Sequence, residues 1–131
     1  MHIEVTRHAM SAMNAAAQAE YPREACGILL GEGNRIVAFR LARNVHPKPE
    51  THFEIDPQAL IDAHRDARGD GPQVVGYFHS HPIGTSHPSA TDRRMASGDG
   101  SIWAIQGEGG MTFSRDGAED FLPLTCKIID E

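Results

Sequence analysis

One stretch restricts the architecture of this chain more than any other. The apolar run Val74-Val75-Gly76-Tyr77-Phe78 leads without a break into His79-Ser80-His81-Pro82, then into Ile83-Gly84-Thr85-Ser86-His87-Pro88-Ser89-Ala90-Thr91-Asp92. The run predicts a buried strand, and because strand side chains alternate, His79 and His81 leave it on one face while Ser80 leaves on the other. After a turn rich in Pro, Gly, Ser and Thr, Ser89 and Asp92 stand three apart at a helix start and share a helical face. Two imidazoles and a carboxylate are three ligands of the kind that a divalent cation such as zinc accepts in tetrahedral geometry, with the fourth position left for water. Each piece alone has a plainer reading. Isolated histidines are ordinarily surface or structural residues, and Ser89-Ala90-Thr91-Asp92 fits a helix capping box. The conjunction is far more specific than its parts, and capping is compatible with a chemical role.

At 131 residues the chain has the length of one domain, 1–131, able to bury a core without disulfides. Hydrophobic residues at 40% and charged residues at 23% are those of a folded soluble protein rather than a disordered one. No stretch approaches the roughly 20 apolar residues that cross a bilayer. The N-terminus also lacks the basic segment and apolar core of a secretory signal, so a cytoplasmic protein without membrane attachment is expected. A net charge of −6 with only 12 Lys and Arg argues against a nucleic-acid surface and is compatible with a basic or neutral protein partner. Cys26 and Cys126 form no CxxC pair, so no zinc ribbon or redox motif is present, and both are expected as buried free thiols.

Taken in order, Ile3 to Val5 predicts a short strand, and Thr6 caps a helix whose apolar stripe is Met10, Met13, Ala17 and Tyr21, stopped by Pro22. Pro22 to Gly31 carries an apolar strand, and Glu32-Gly33-Asn34 turns it into a second from Arg35 to Leu41, a hairpin with Glu24 where the chain enters it. Asn44 to Thr51 reads as an irregular loop, and His46 and His52, in or beside it, are expected not to be ligands. Phe53 to Ile55 predicts a short strand. Asp56-Pro57 opens a second helix with a narrow apolar face of Leu60, Ile61 and a partly buried His64, ended by Gly69-Asp70-Gly71-Pro72. Beyond the histidine segment a short helix from about Ser89 to near Gly98 leads to a buried strand, Ser101 to Ile105. A tight connection at Gly107 to Gly110, a strand at Met111 to Phe113 and a turn at Asp116-Gly117 come next. Leu122 to Ile129 predicts an edge strand that tolerates Pro123. Alternating helices and strands predict an α/β protein with a central mixed β-sheet flanked by helices.

Glu24, then His79-Ser80-His81, seven intervening residues, Ser89, two more and Asp92 resemble the signature of the JAMM (MPN-plus) zinc metalloproteases of the Mov34/MPN/PAD-1 group. Pro22-Arg23-Glu24-Ala25-Cys26-Gly27 resembles the stretch around that family's catalytic glutamate, and the order of elements is similar over most of the chain. The resemblance implies a cytidine-deaminase-like (JAB/MPN) fold, Zn2+ held by His79, His81 and Asp92, and chemistry served by Glu24 and Ser89. That chemistry is hydrolysis of an amide or isopeptide bond, with Glu24 as base and then acid and Ser89 stabilising an oxyanion. With little room for an insertion after Gly107, the chain resembles the small prokaryotic JAB-like branch. This implies a β-grasp substrate, a ubiquitin-like or sulfur-carrier protein ending in Gly-Gly, and is compatible with a homodimer. The family pattern does not use His87 as a ligand. Two rival classes share parts of this pattern. A non-catalytic interaction scaffold of the same family is marked by missing ligands, and none is missing here. Zinc-dependent base deamination is associated with HxE followed by PCxxC, whereas this chain has HSH and no CxxC.

Overall fold

In the computed structural model, which describes residues 1–130, strands and helices follow in the order β1 (His2–Thr6), α1 (Arg7–Glu20), β2 (Cys26–Glu32), β3 (Arg35–Ala42), α2 (Pro57–Arg68), β4 (Gln73–Thr85), α3 (Ala90–Met95), β5 (Ile102–Glu108), β6 (Gly110–Asp116) and β7 (Phe121–Ile129). The strands pair as β1-β3-β2-β4-β5-β6-β7, and β7 returns to pair with β1, so a sheet of mixed direction curls into a closed barrel. Local chemistry starts both long helices as expected. Thr6 Oγ1 accepts from the Ala9 N–H at 3.1 Å, and an Asp56 carboxylate oxygen accepts from the Gln58 N–H at 3.0 Å.

Two cores sit on the two faces of the sheet. One is filled by Ala9, Met13, Ala16 and Ala17 of α1 against Ile3, Val5, Leu29, Ile36 and Phe78. On the other face Ala63 of α2, with Ala59 and Leu60, covers Cys26, Ile28 and Leu30. A bulge fixes which face the histidines take. The β2–β4 pairing passes from Leu29↔Gly76 to Leu30↔Val74 and skips Val75. Val75 and Phe78 therefore pack in the α1 core, whereas Tyr77 belongs to the α2 core, and by alternation His79 and His81 follow Tyr77. At Gly76 a Cβ would stand 1.9 Å from the Ile102 carbonyl oxygen, so only glycine lets β5 lie this close to β4.

Several expectations are corrected. β7 is not an edge: Phe121 to Leu124 pair with β6, and Thr125 to Ile129 pair with β1. Pro123 falls in the half that β1 does not reach, which is why a residue without an N–H is accommodated. Phe53 to Ile55 form no strand, only the bridge Asn44↔Ile55. α3 ends at Met95 rather than near Gly98. In α2 it is Ala63 that is buried, while Ile61 and His64 are exposed. Tyr21 is likewise exposed at the end of α1, leaving Ala9 and Ala16 to complete the stripe. Cys26 is a buried free thiol, but Cys126 is exposed. Among the described residues no helix is long and apolar enough to cross a membrane.

Candidate active site

β4 does not stop at the histidines but continues to Thr85, and this extension carries the site. His79 is 1% exposed, its ring stacked on Phe53 at 4.2 Å and edge-on to Trp103 at 5.7 Å. Among the described residues its buried Nδ1 has no partner, so the polar contacts of the ring run through Nε2. His81 lies two residues on, with Nδ1 2.6 Å from the Thr85 carbonyl oxygen. A carbonyl only accepts, so Nδ1 carries the proton, and a neutral ring turns the Nε2 lone pair inward.

α3 supplies the third group. Ser89 caps it, Oγ accepting from the Asp92 N–H at 3.0 Å while Asp92 Oδ2 accepts from the Ser89 N–H at 2.9 Å. This reciprocal pair holds the Asp92 carboxylate back over the strand, where it is 3% exposed. Asp92 Oδ1 lies 3.0 Å from His79 Nε2, Asp92 Oδ2 lies 3.1 Å from His81 Nε2, and the two Nε2 atoms are 3.2 Å apart.

These three side chains are the one group of potential metal ligands found among the described residues, with ligand atoms within 4.8 Å of one another. Donors about 2.0–2.1 Å from a tetrahedral ion stand roughly 3.3 Å apart, close to the spacing seen here. Two imidazole nitrogens and a carboxylate oxygen, brought together with lone pairs facing, fit a small divalent cation. Burial takes His79 below the usual imidazole range. Without a cation it works against His81 too, but in the doubly protonated ring hydrogen bonds to Asp92 and the Thr85 carbonyl outweigh it and raise that ring. For Asp92 burial would raise the carboxyl, yet His79, His81 and the Ser89 amide hold it well below the carboxylate range, so it is ionised at neutral pH.

Glu24 joins these groups in one cleft of about 370 Å³, lined also by His81, Ser89 and Asp92. Its backbone is tied from three sides. The Glu24 N–H donates to the Pro49 carbonyl at 2.7 Å, and Asn44 Nδ2 donates to the Glu24 carbonyl at 3.1 Å. The Ala25 N–H donates to Ser80 Oγ at 2.8 Å, and the Ser80 N–H returns a bond to the Ala25 carbonyl at 3.0 Å. Burial pushes the Glu24 carboxyl, 6% exposed, up to about 7, with His81 opposing and Asp92 adding.

The five residues expected from the sequence thus come together, and two further ones hold them. Ser80, between the histidines, faces away from them and pins the approach of Glu24 to β4. Asn44 ties the loop forming the cleft's other wall. Its Nδ2 also donates to the His52 carbonyl at 2.9 Å, and its Oδ1 accepts from the His46 and Glu54 N–H groups, both at 3.1 Å. His46 and His52 stack on each other at 4.7 Å and stay outside the ligand group, as does His87, although His52 and His87 line the cleft.

A family profile described as prokaryotic homologs of the JAB domain matches residues 6–117. The desampylase of Haloferax volcanii is 30% identical over 122 residues, which cover 91% of this chain and 88% of that protein. A probable TtuB-protein conjugate cleaving protease of Thermus thermophilus is 32% identical over 105 residues, 79% of this chain and 64% of that one. The CysO-cysteine peptidase of Mycobacterium tuberculosis is 31% identical over 90 residues, 67% of this chain and 61% of the relative. A protein of Desulfitobacterium hafniense solved in solution superposes with a TM-score of 0.83 at 28% identity, covering 98% of this chain and 94% of that one. The chain belongs to the prokaryotic JAB-domain family, with an α/β JAB fold, and is a JAMM-type hydrolase.

Proposed function

We propose that this protein is a zinc-dependent peptidase that hydrolyses the amide or isopeptide bond following the C-terminal Gly-Gly of a ubiquitin-like or sulfur-carrier protein. The observation that carries the reading is the convergence of His79, His81 and Asp92 within 4.8 Å in the cleft that Glu24 also lines. Nitrogen and oxygen donors in this ratio suit zinc. Bound there, it supplies Lewis acidity toward a carbonyl oxygen and lowers the pKa of water.

The remaining work belongs to the chain. Glu24, with its carboxyl near 7, accepts a proton from the attacking water and delivers one to the departing amine nitrogen. Ser89 Oγ uses a lone pair for the Asp92 amide, which leaves its O–H to donate to the oxyanion. The Thr85 carbonyl fixes the His81 tautomer, and Ser80 and Asn44 set where Glu24 stands. The names of the Haloferax, Thermus and Mycobacterium relatives support a carrier-protein substrate, whose extended tail pairs backbone to backbone along the cleft. Residence in the cytoplasm and kinship with the cytidine-deaminase-like folds belong to the same proposal. The scaffold alternative needs a lost ligand, and none of the four groups is replaced.

The test is incubation of the zinc-loaded protein with a Gly-Gly carrier extended by an amino acid or joined to a lysine, read by mass spectrometry. Cleavage immediately after Gly-Gly is expected. Carriers that stay intact would refute the reading, and ammonia released from cytidine would favour deamination instead.

A further inference from the structure

Past Phe53 and Met95, which line both, the cleft gives way to a second groove of about 420 Å³ beside α2. Its lining includes three aromatic rings, Phe53, Tyr77 and Trp103, and the Phe53 ring stacks 4.2 Å from His79. The groove therefore begins one ring away from the cluster of His79, His81 and Asp92. Its described lining holds three carboxylates, Glu54, Asp99 and Asp116, and no Lys, Arg or His. Asp116 is buried and accepts from the Ser97 and Gly98 amides, each at 3.1 Å. Glu54 and Asp99 are exposed, and among the described residues one oxygen of Asp99 is engaged, by the Ser101 N–H at 2.9 Å. Two donors in this groove also lack partners. Neither the Trp103 indole N–H nor the Tyr77 hydroxyl has a hydrogen bond among the described residues, and neither atom is sealed from solvent, so both are open to a ligand in the groove.

We infer that this groove is a specificity subsite for a lysine or arginine side chain on the amine side of the scissile bond, one whose own head group is not the acylated nitrogen. The inference rests on the hydrolase reading given above. Aromatic faces with acidic groups at their rim match a long cationic side chain, whose methylene stem covers the rings while its head meets Glu54 and Asp99. A backbone carbonyl of the same segment is a fitting acceptor for Trp103 and Tyr77. An acidic residue would be repelled, and an apolar one would leave the rim unmatched. The carbonyl side of the bond offers only two glycines, which have no side chain to fill a groove this near. The amine side does.

Trp103 is the only tryptophan of the chain, so its emission reads the groove directly. The zinc-loaded protein is titrated with acetyl-Ala-Lys-Ala-amide and with acetyl-Ala-Glu-Ala-amide. A saturable change with the lysine peptide alone is expected, weakened about fivefold or more by Asp99→Asn with Glu54→Gln. Asparagine keeps the acceptor for Ser101, and both sites are exposed, so the fold is retained. No saturable change with the lysine peptide, or an equal change with the glutamate peptide, overturns the subsite. The readout does not depend on cleavage. It persists in Glu24→Gln, whereas a protein that cleaves Gly-Gly fusions bearing Lys or Glu at equal rates keeps the hydrolase reading and loses this one.

Discussion

Glu24→Gln should make the metal-free protein more stable at alkaline pH while removing its activity. The carboxyl titrates at about 7 rather than 4.5 because burial disfavours its charged form, with His81 opposing and Asp92 adding. The sign follows from that direction. Below about pH 4.5 the group is protonated in folded and unfolded chains alike, so Glu and Gln differ little there. As pH rises from about 4.5 to about 7 the unfolded chain ionises freely a carboxyl that the folded protein keeps protonated, so stability is lost over that window and stays lost above it. Moving a pKa from 4.5 to about 7 corresponds to roughly 3 kcal/mol at about 1.4 kcal/mol per pH unit. The carboxyl lines a cleft that water enters, so the expected gain is nearer 2 kcal/mol. Glutamine keeps the backbone bonds to Pro49 and Asn44, so packing changes do not obscure the comparison. Urea unfolding of both proteins at about pH 5 and about pH 8.5 measures it. Added zinc should shrink the difference, because a nearby cation favours the carboxylate. A gap that does not widen between the two pH values would show that Glu24 is not held in a desolvated, charge-averse position.

Two further substitutions separate capping from chemistry and loop from site. Ser89→Ala should cost about 1 kcal/mol through the lost N-cap of α3. It should also lower kcat by on the order of 10²-fold if its hydroxyl meets the oxyanion; a loss of stability with kcat unchanged would confine Ser89 to capping. Asn44→Ala leaves the Glu24 and His52 carbonyls and the His46 and Glu54 amides without their partner. Thermal unfolding should fall by about 2–3 kcal/mol, with kcat reduced more than the KM for a carrier substrate is raised, since the Glu24 backbone is released.

What the sequence made legible is what depends on short range. The capping pair Ser89 and Asp92 is local, and its geometry follows from residue type and spacing alone. That His79 and His81 share a face follows from the strand period and survives any error in the strand's limits. Which face they take was not legible, because the bulge at Val75 resets the parity upstream and leaves no mark in composition. The same holds for everything reached across the fold. Ser80 meets Ala25 from 55 residues away, and Asn44 reaches Glu24 from 20, so an alternating serine and a loop asparagine carry no sign of what they hold. Leu122 to Ile129 suit an edge strand that tolerates Pro123, whereas β7 divides its pairing between two neighbours and places the proline on the half where its missing N–H is not needed. The cluster of His79, His81 and Asp92 is therefore written in types and spacings, while the positions of Glu24 and of the aromatic surround are set by which distant strands and loops adjoin. Substrate selectivity in such a domain is to be sought in that second layer: Phe53 and Trp103 flank His79 from segments 26 and 24 residues away.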